Sequence, residues 1–470
     1  MLQIPGSIGQ TGNATSRRRF LSIGSLALGG LSLPHILQAE EQAGVKNNGK
    51  GVIMVFLPGG PSHLDMFDLK PDAPEEIRGE FRPIQTNVPG IRISELMPRM
   101  AAMMDKFIPV RSLVGAINDH NVHQCVTGWD SHAEQTGSKE IPGYPSGGWP
   151  SLGAVISKEL GPLSSGIPST VDFSPDYYDA RFVNSTRLGT GGFLGNGHAG
   201  FEVSSIHHDN FELSGTGLDR LGDRKQLLAS FDRFRRITDN AGATRRIDRY
   251  NQQAFEVLAS QKLAHALDLQ QESAASRKAY GLDESLPPMR GGGKMLDQFL
   301  LARRAIQAGA RCATIVFSRY PFGRMLKGDY NWDWHKDNFS EARATLPLLD
   351  IGLSALIADL ERHQLLDDIS VVMWGEFGRT PRINSNAGRD HWPQVCGALL
   401  AGGGMKTGQV LGETNKFGEH AKQRPVHFRE VFATLYQNMG IHLGGKTFDD
   451  LAGRPQSLLG GYRPISEICG

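Results

Sequence analysis

Four short stretches of this chain each bring carboxylate and imidazole groups together. His63, Asp65 and Asp68 follow the turn Pro58-Gly59-Gly60-Pro61-Ser62. Asn118, Asp119, His120, Asn121 and His123 form the second stretch, and Asp329, Asp333, His335 and Asp337 the third. The fourth holds Glu376, Arg379, Arg382, Asn384, Arg389, Asp390 and His391. Mixed Asp, Glu and His side chains are the donor set of zinc, manganese and similar divalent ions. A pair of such ions about 3.5–4 Å apart polarises an ester oxygen and activates a nucleophile. Arginines among them suit a sulfate or phosphate, because a guanidinium binds two oxygens at once. Taken singly, each group has a plainer use: an Asp after a turn caps a helix, and a lone loop His is commonly just hydrogen-bonded. The chemistry requires all four stretches to meet at one place.

The elements that could bring them together are legible. A continuous apolar run at 51–57 reads as a buried parallel strand, and runs at 107–114 (the weaker, with Arg111 and Ser112), 312–317, 368–374 (the clearest) and 395–401 read as further strands. Helical periodicity fills 94–104, 292–310, 343–363 and 425–439, the last with Pro425 near its first turn, where proline is tolerated. Strand and helix alternate, which predicts an α/β fold with a mostly parallel central sheet flanked by helices. Ligands of such sheets sit beyond the carboxyl ends of the strands, and four of the runs are followed by the four polar stretches. Residues 217–279 are charged and poor in glycine, and read as a helical insertion returning through a linker that ends near 290. Residues 140–215, with Gly191-Gly192-Phe193-Leu194-Gly195-Asn196-Gly197-His198, are expected to shape the substrate cleft.

Residues 1–39 read as an address. Arg17-Arg18-Arg19-Phe20-Leu21 precedes a short glycine-rich apolar run, and Leu37-Gln38-Ala39 suits cleavage. The run falls short of the ~18 residues that cross a bilayer. The expectation is export by a twin-arginine-type route to the periplasm or beyond, leaving residues 40–470 as a single domain with no stable membrane span. The 470 residues carry 50 Lys+Arg and 49 Asp+Glu; without residues 1–39, which hold three arginines and no acid, 47 basic groups face 49 acidic ones, a net of −2. Near neutrality argues against nucleic acid as a partner. Glycine, 57 of 470, exceeds the usual share of roughly 7%. Cys125, Cys312, Cys396 and Cys469 are too dispersed for a zinc ribbon; one or two disulfides after export stay open.

Several of these motifs resemble a family. Phe56-Leu57-Pro58-Gly59-Gly60-Pro61-Ser62-His63-Leu64-Asp65-Met66-Phe67-Asp68, Trp332-Asp333-Trp334-His335, Trp374-Gly375-Glu376-Phe377-Gly378-Arg379-Thr380-Pro381 and Gly388-Arg389-Asp390-His391-Trp392 are similar to the exported domain-of-unknown-function 1501 family, over most of residues 50–440. That family is related to the alkaline phosphatase and sulfatase superfamily, so the resemblance implies an alkaline phosphatase-like fold. It also implies metal ligation by Asp333, His335 and His391, with Asp65 or a neighbour as the first-strand metal aspartate. Two departures stand out. The stretch from Asn118 to Gly128 has the length of the sulfatase signature, yet Asn118 falls on the nucleophile and Val122 on the arginine. Glu376 stands for an aspartate, and Phe377 for the second ligand of that pair.

The expectation is therefore an exported metal-dependent hydrolase of phosphate or sulfate esters, on small molecules or polysaccharides. Asp333, His335 and His391 would hold one divalent metal, zinc foremost, with calcium and manganese as alternatives. Asp65 and Glu376 would help a second or orient the first. His120 or His123 would transfer protons, Arg379 would hold the ester oxyanion, and Asn118 marks the nucleophile position. The rival expectation is a catalytically degenerate, metal-containing protein that binds anionic glycans on the same fold. Oligomeric state is not legible.

Overall fold

The computed structural model describes residues 49–130, 144–173, 188–203, 262–282, 292–318 and 332–470. The segment read as a signal, most of the helical insertion and Asp329 lie outside these residues. Eight strands form the central sheet: β1 (Gly51–Phe56), β2 (Phe107–Val114), β3 (Thr170–Phe173), β4 (Phe201–Val203), β5 (Cys312–Val316), β6 (Ile369–Trp374), β7 (Cys396–Gly402) and β8 (Val426–His427), in the order β8-β2-β7-β6-β1-β5-β3-β4. Five pairings are parallel, and β7 runs antiparallel between β2 and β6. The sheet is thus mostly parallel, as the alternation of elements implies.

Its central strands β1, β5, β6 and β7 are largely apolar because both faces are covered. Along β1, Ile53 and Val55 enter a core with Phe299 and Leu300 of α1 (Gly292–Ala308) and Leu349 and Leu353 of α2 (Asn338–Arg362). Val52, Met54 and Phe56 point the other way, into a core with Leu152 and Val155 of a helix at Leu152–Leu160 and Val431 and Phe432 of one at Phe428–Asn438. At the centre, Phe56 is in register with both Val316 and Trp374, so β1, β5 and β6 end level. Leu113, near the end of β2, pairs with Cys396 at the start of β7. The carboxyl ends of four strands and the entry to β7 therefore share one edge of the sheet.

Three local expectations need correction. The 94–104 segment breaks into a strand at Arg92–Ser94, a single helical turn at Pro98–Ala101 and a 3-10 turn at Met104–Lys106. Pro425 precedes β8 instead of opening the helix, whose N-cap is His427, with Glu430 completing a capping box. Residues 152–173 and 201–203 supply a helix and two strands of the sheet itself, which a cleft-lining role for 140–215 did not foresee. Because β7 is antiparallel, Gly402 and Gly403 lie against Ile369 and Ser370 at the opposite edge of the sheet from the polar loops. All four cysteines are unpaired thiols.

Candidate metal centre

The loops at the common edge close on the Asp333 carboxylate. Trp332 anchors its segment: the main-chain N–H donates to Pro58 O (3.0 Å) and the indole Nε1 to Phe317 O (3.0 Å), tying it to the ends of β1 and β5. Gly59 has φ +109°, and a Cβ there would lie 2.5 Å from Asp333 N, so only glycine lets the two backbones meet. Downstream of β6, a two-residue ribbon pairs Arg379 with His391 and Gly378 with Trp392, and so returns His391 to the edge.

Three imidazoles point their Nε2 at this one carboxylate. His391 Nε2 lies 3.1 Å from Asp333 Oδ1, His335 Nε2 3.1 Å from the same oxygen, and His120 Nε2 3.2 Å from Oδ2. Each Nδ1 has its own acceptor: Glu376 Oε1 for His120 (2.8 Å), Asp390 Oδ1 for His335 (2.7 Å) and Asn118 Oδ1 for His391 (3.0 Å). The buried Glu376 is held in turn by the N–H of Gly59 (2.8 Å). The Phe377 ring packs against His391 (centroids 4.3 Å) and His120 (5.1 Å), forming an apolar floor where a second ligand was expected.

The charges follow from this packing. Burial alone would raise the Asp333 carboxyl; hydrogen bonds from His120 and His391 and the charge of Arg379 reverse this and hold it well below the usual carboxylate range. Burial disfavours the His120 cation, but hydrogen bonds to Asp333 and Glu376 outweigh it and raise its pKa to about 9. His391 is lowered, chiefly by burial and against the pull of Asp333, with Arg379 and His120 adding to the drop. His391 is therefore neutral at pH 7. With Nδ1 3.0 Å from Asn118 Oδ1 and Nε2 3.1 Å from Asp333 Oδ1, a neutral ring has one proton for two oxygen acceptors. A cation between Nε2 and the carboxylate would meet the need of both.

A divalent metal fits this requirement. One ligand atom from each of His120, Asp333 and His391 lies within 4.8 Å of the others. Tetrahedral ligands about 2 Å from one zinc stand roughly 3.3 Å apart; His391 Nε2 is 3.1 Å from Asp333 Oδ1 and His120 Nε2 is 3.2 Å from Oδ2. An imidazole whose other nitrogen donates to a carboxylate or amide is the usual form of a metal-binding histidine.

The remaining sequence candidates lie elsewhere or act differently. Asp65, expected at the metal, is buried in an ion pair: Arg389 reaches it through Nε (2.9 Å) and Nη2 (3.2 Å), Ser62 Oγ at 2.6 Å and Asn338 Nδ2 at 3.0 Å. Arg379, expected to hold an oxyanion, is buried with Nε on Gly60 O (2.9 Å), Nη1 on Arg389 O (2.9 Å) and Nη2 on Gly59 O and Asp333. It braces the loops and keeps a fixed positive charge on Asp333. Arg382 is exposed, 3.8 Å from Glu76. His123 is buried at the start of a short helix, His123–Thr127; burial lowers its pKa to about 4, and its Nε2 meets Tyr144 Oη at 3.2 Å. His120, anticipated as a proton carrier, stands among the donors instead. The roles of Asn118 and Asp390 as imidazole acceptors were missed; an i-to-j reach such as 118 to 391 leaves no spacing signal in a sequence.

A family described as "Protein of unknown function (DUF1501)" matches residues 49–469. The chain belongs to this family. No curated protein matches the sequence. Among solved structures, a phosphonate monoester hydrolase from Silicibacter pomeroyi is similar at 12% identity, over 89% of this chain and 78% of that one, with a TM-score of 0.39. The lipoteichoic acid synthase LtaP from Listeria monocytogenes is similar at 13% identity, over 87% and 76%, TM-score 0.34. The C-terminal periplasmic domain of EptC from Escherichia coli is similar at 9% identity, over 85% of each chain, TM-score 0.36. At these values the likenesses describe those proteins and leave the chemistry of this one to its own residues.

Proposed function

We propose that this DUF1501 protein is an exported metal-dependent hydrolase of phosphate or sulfate esters, polysaccharide esters among its substrates. The observation that supports it best is the convergence of three imidazole Nε2 atoms, each with its Nδ1 engaged, on one ionised buried carboxylate. Asp333, His120 and His391, with His335 at the rim, would hold one divalent ion, zinc being the best match to the nitrogen-rich set. Such an ion polarises the ester oxygen and lowers the pKa of a bound water. The protein's own groups prepare the site. Glu376, Asp390 and Asn118 fix the tautomers, Arg379 keeps Asp333 ionised, and the Phe377 floor keeps water from the buried side.

Hydrolysis of aryl phosphate and aryl sulfate by zinc-loaded protein is the direct test. Asp333→Ala and His391→Ala should abolish it, while the exposed His442→Ala should not. A second reading has one observation in its favour: the residue where a covalent nucleophile was expected is Asn118, and its amide is tied to His391. Metal-loaded protein that binds sulfated or phosphorylated glycans but turns over neither ester would decide for that reading, an anionic-glycan-binding protein.

A further inference from the structure

His335 is the imidazole of the centre that packing holds least. Its side chain is 45% exposed, against 22% for both His120 and His391. Hydrogen bonds must therefore fix it, and they lead to a single side chain. Asn384 Nδ2 donates to the main-chain carbonyl of His335 (2.9 Å) and to Asp390 Oδ1 (3.1 Å), the oxygen that receives the His335 Nδ1 proton (2.7 Å). On its other side, Asn384 Oδ1 accepts from Asn386 N (2.9 Å) and Gly388 N (3.0 Å). Two donors and two lone pairs are the whole capacity of a primary amide, and here all four are used. Asp lacks the donors, Ala lacks everything, and Gln carries the amide one methylene too far.

The loop is wound around this amide. Asn384 N donates to Gly388 O (2.8 Å) and Ala387 N to Asn384 O (3.1 Å), with Ala387 in the left-handed region at φ +53°. Gly388 lies so close to the His335 carbonyl that no side chain fits. Asp337 N to Asn386 O (3.0 Å), Asn338 N to Ala387 O (2.9 Å) and Arg389 N to Trp334 O (2.9 Å) then join this loop to the segment bearing Asp333 and His335.

We propose that Asn384 is a positioning residue of the centre: acting through Asp390, it fixes the tautomer and direction of His335. The consequence for turnover rests on the hydrolase reading above; the structural content does not. The test follows three readouts in Asn384→Ala, Asn384→Asp and Asp390→Asn. The first is the imidazole Nδ1–H resonance of His335 in the proton NMR spectrum, assigned by its loss in His335→Gln. The second is the visible absorption of the cobalt-loaded protein, and the third is kcat on an aryl phosphate. Both Asn384 variants should lose the His335 resonance and keep that of His120, which Glu376 holds independently. Their cobalt bands should shift and kcat should fall roughly 10–100-fold, the usual cost of removing a partner behind a metal ligand. Asn384→Gln should not rescue. An unchanged His335 resonance with unchanged cobalt bands in folded Asn384→Ala overturns the proposal. If that variant does not fold, the same result in Asp390→Asn does so. A wild-type protein inert toward esters ends the hydrolase reading, yet the resonance and the cobalt bands still decide the role of Asn384.

Discussion

Asp65 and Asp333 are both buried aspartates at the same edge, and their partners give them different duties. Asp65 is closed off by Arg389, which is itself fully buried and also donates to Ile77 O (2.9 Å), Thr380 O (3.1 Å) and Pro381 O. Removing one member of such a pair strands the other charge, at a cost of about 3–5 kcal/mol. Asp65→Ala should thus lower the unfolding free energy by about that amount in urea titrations, while the folded variant keeps its metal content. Loss of metal from folded Asp65→Ala would restore the ligand role expected from sequence. Asp333, in contrast, faces imidazoles, one of them cationic. His120 must give up its proton to bind a metal, and its pKa is raised to about 9. Zinc affinity should therefore climb about tenfold per pH unit toward pH 9, with release of one proton. Calorimetry in buffers of different ionisation enthalpy measures that proton; no release at pH 7 would remove His120 from the donor set.

At the scale of elements, the site depends on how closely loops approach each other. Gly59 links β1 to the metal centre twice, through its N–H on Glu376 and through the absence of a side chain against Asp333 N. Gly59→Ala introduces both a clash and a left-handed φ. It should weaken zinc binding by roughly 10–100-fold, as judged by competition with a chelating dye, because it displaces the backbone that aims two ligating groups. Equal affinity in the two proteins would show that the loop is free to adjust. The same scale explains what could be read beforehand. Strands β1, β2, β5, β6 and β7 were legible because burial on both faces makes each a largely apolar run, least so in β2 with Arg111 and Ser112. The direction of β7 was not, since an apolar run has no polarity, and direction alone decides at which edge of the sheet Gly402 and Gly403 fall. Strands β3 and β4 are short and lie beside glycine-rich turns, leaving too few residues for any period to show. The four polar clusters were legible as clusters. Which carboxylate met a guanidinium and which met imidazoles was not, because Asp65 and Arg389 are 324 positions apart and nothing local records their meeting.

Across the whole molecule, stability and site chemistry respond to pH through different groups on different strands. In β3, Asp172 stands in the sheet between Thr314 and Glu202, its carboxyl against Gly189 and Gly200 and its Oδ1 without a hydrogen-bond partner among the described residues. Burial, with a smaller push from Glu202 and despite a hydrogen bond from Thr314, raises its pKa to about 7. A carboxyl whose pKa is higher folded than unfolded stabilises the fold while protonated, so stability falls as pH rises from about 4 to about 7. His120 behaves alike in a later window. Its folded pKa of about 9 exceeds the unfolded value near 6.5, so in metal-free protein its contribution is complete below about 6.5 and gone once pH passes about 9. The shift corresponds to roughly 3 kcal/mol at most. Urea unfolding of the metal-free protein at pH 5, 7 and 9 should accordingly show two successive losses. Asp172→Asn keeps the shape and has no proton to lose, so it should flatten the first step and leave the second. His120→Gln should do the reverse, and the double variant should be additive, because the two side chains share no partner. Saturating zinc replaces the His120 proton with a ligand and stabilises the folded state by mass action, so it should abolish the alkaline loss while leaving the Asp172 step in place. Survival of the alkaline loss in zinc would mean that the metal does not bind at His120, and the nitrogen-rich centre would shrink to Asp333, His335 and His391.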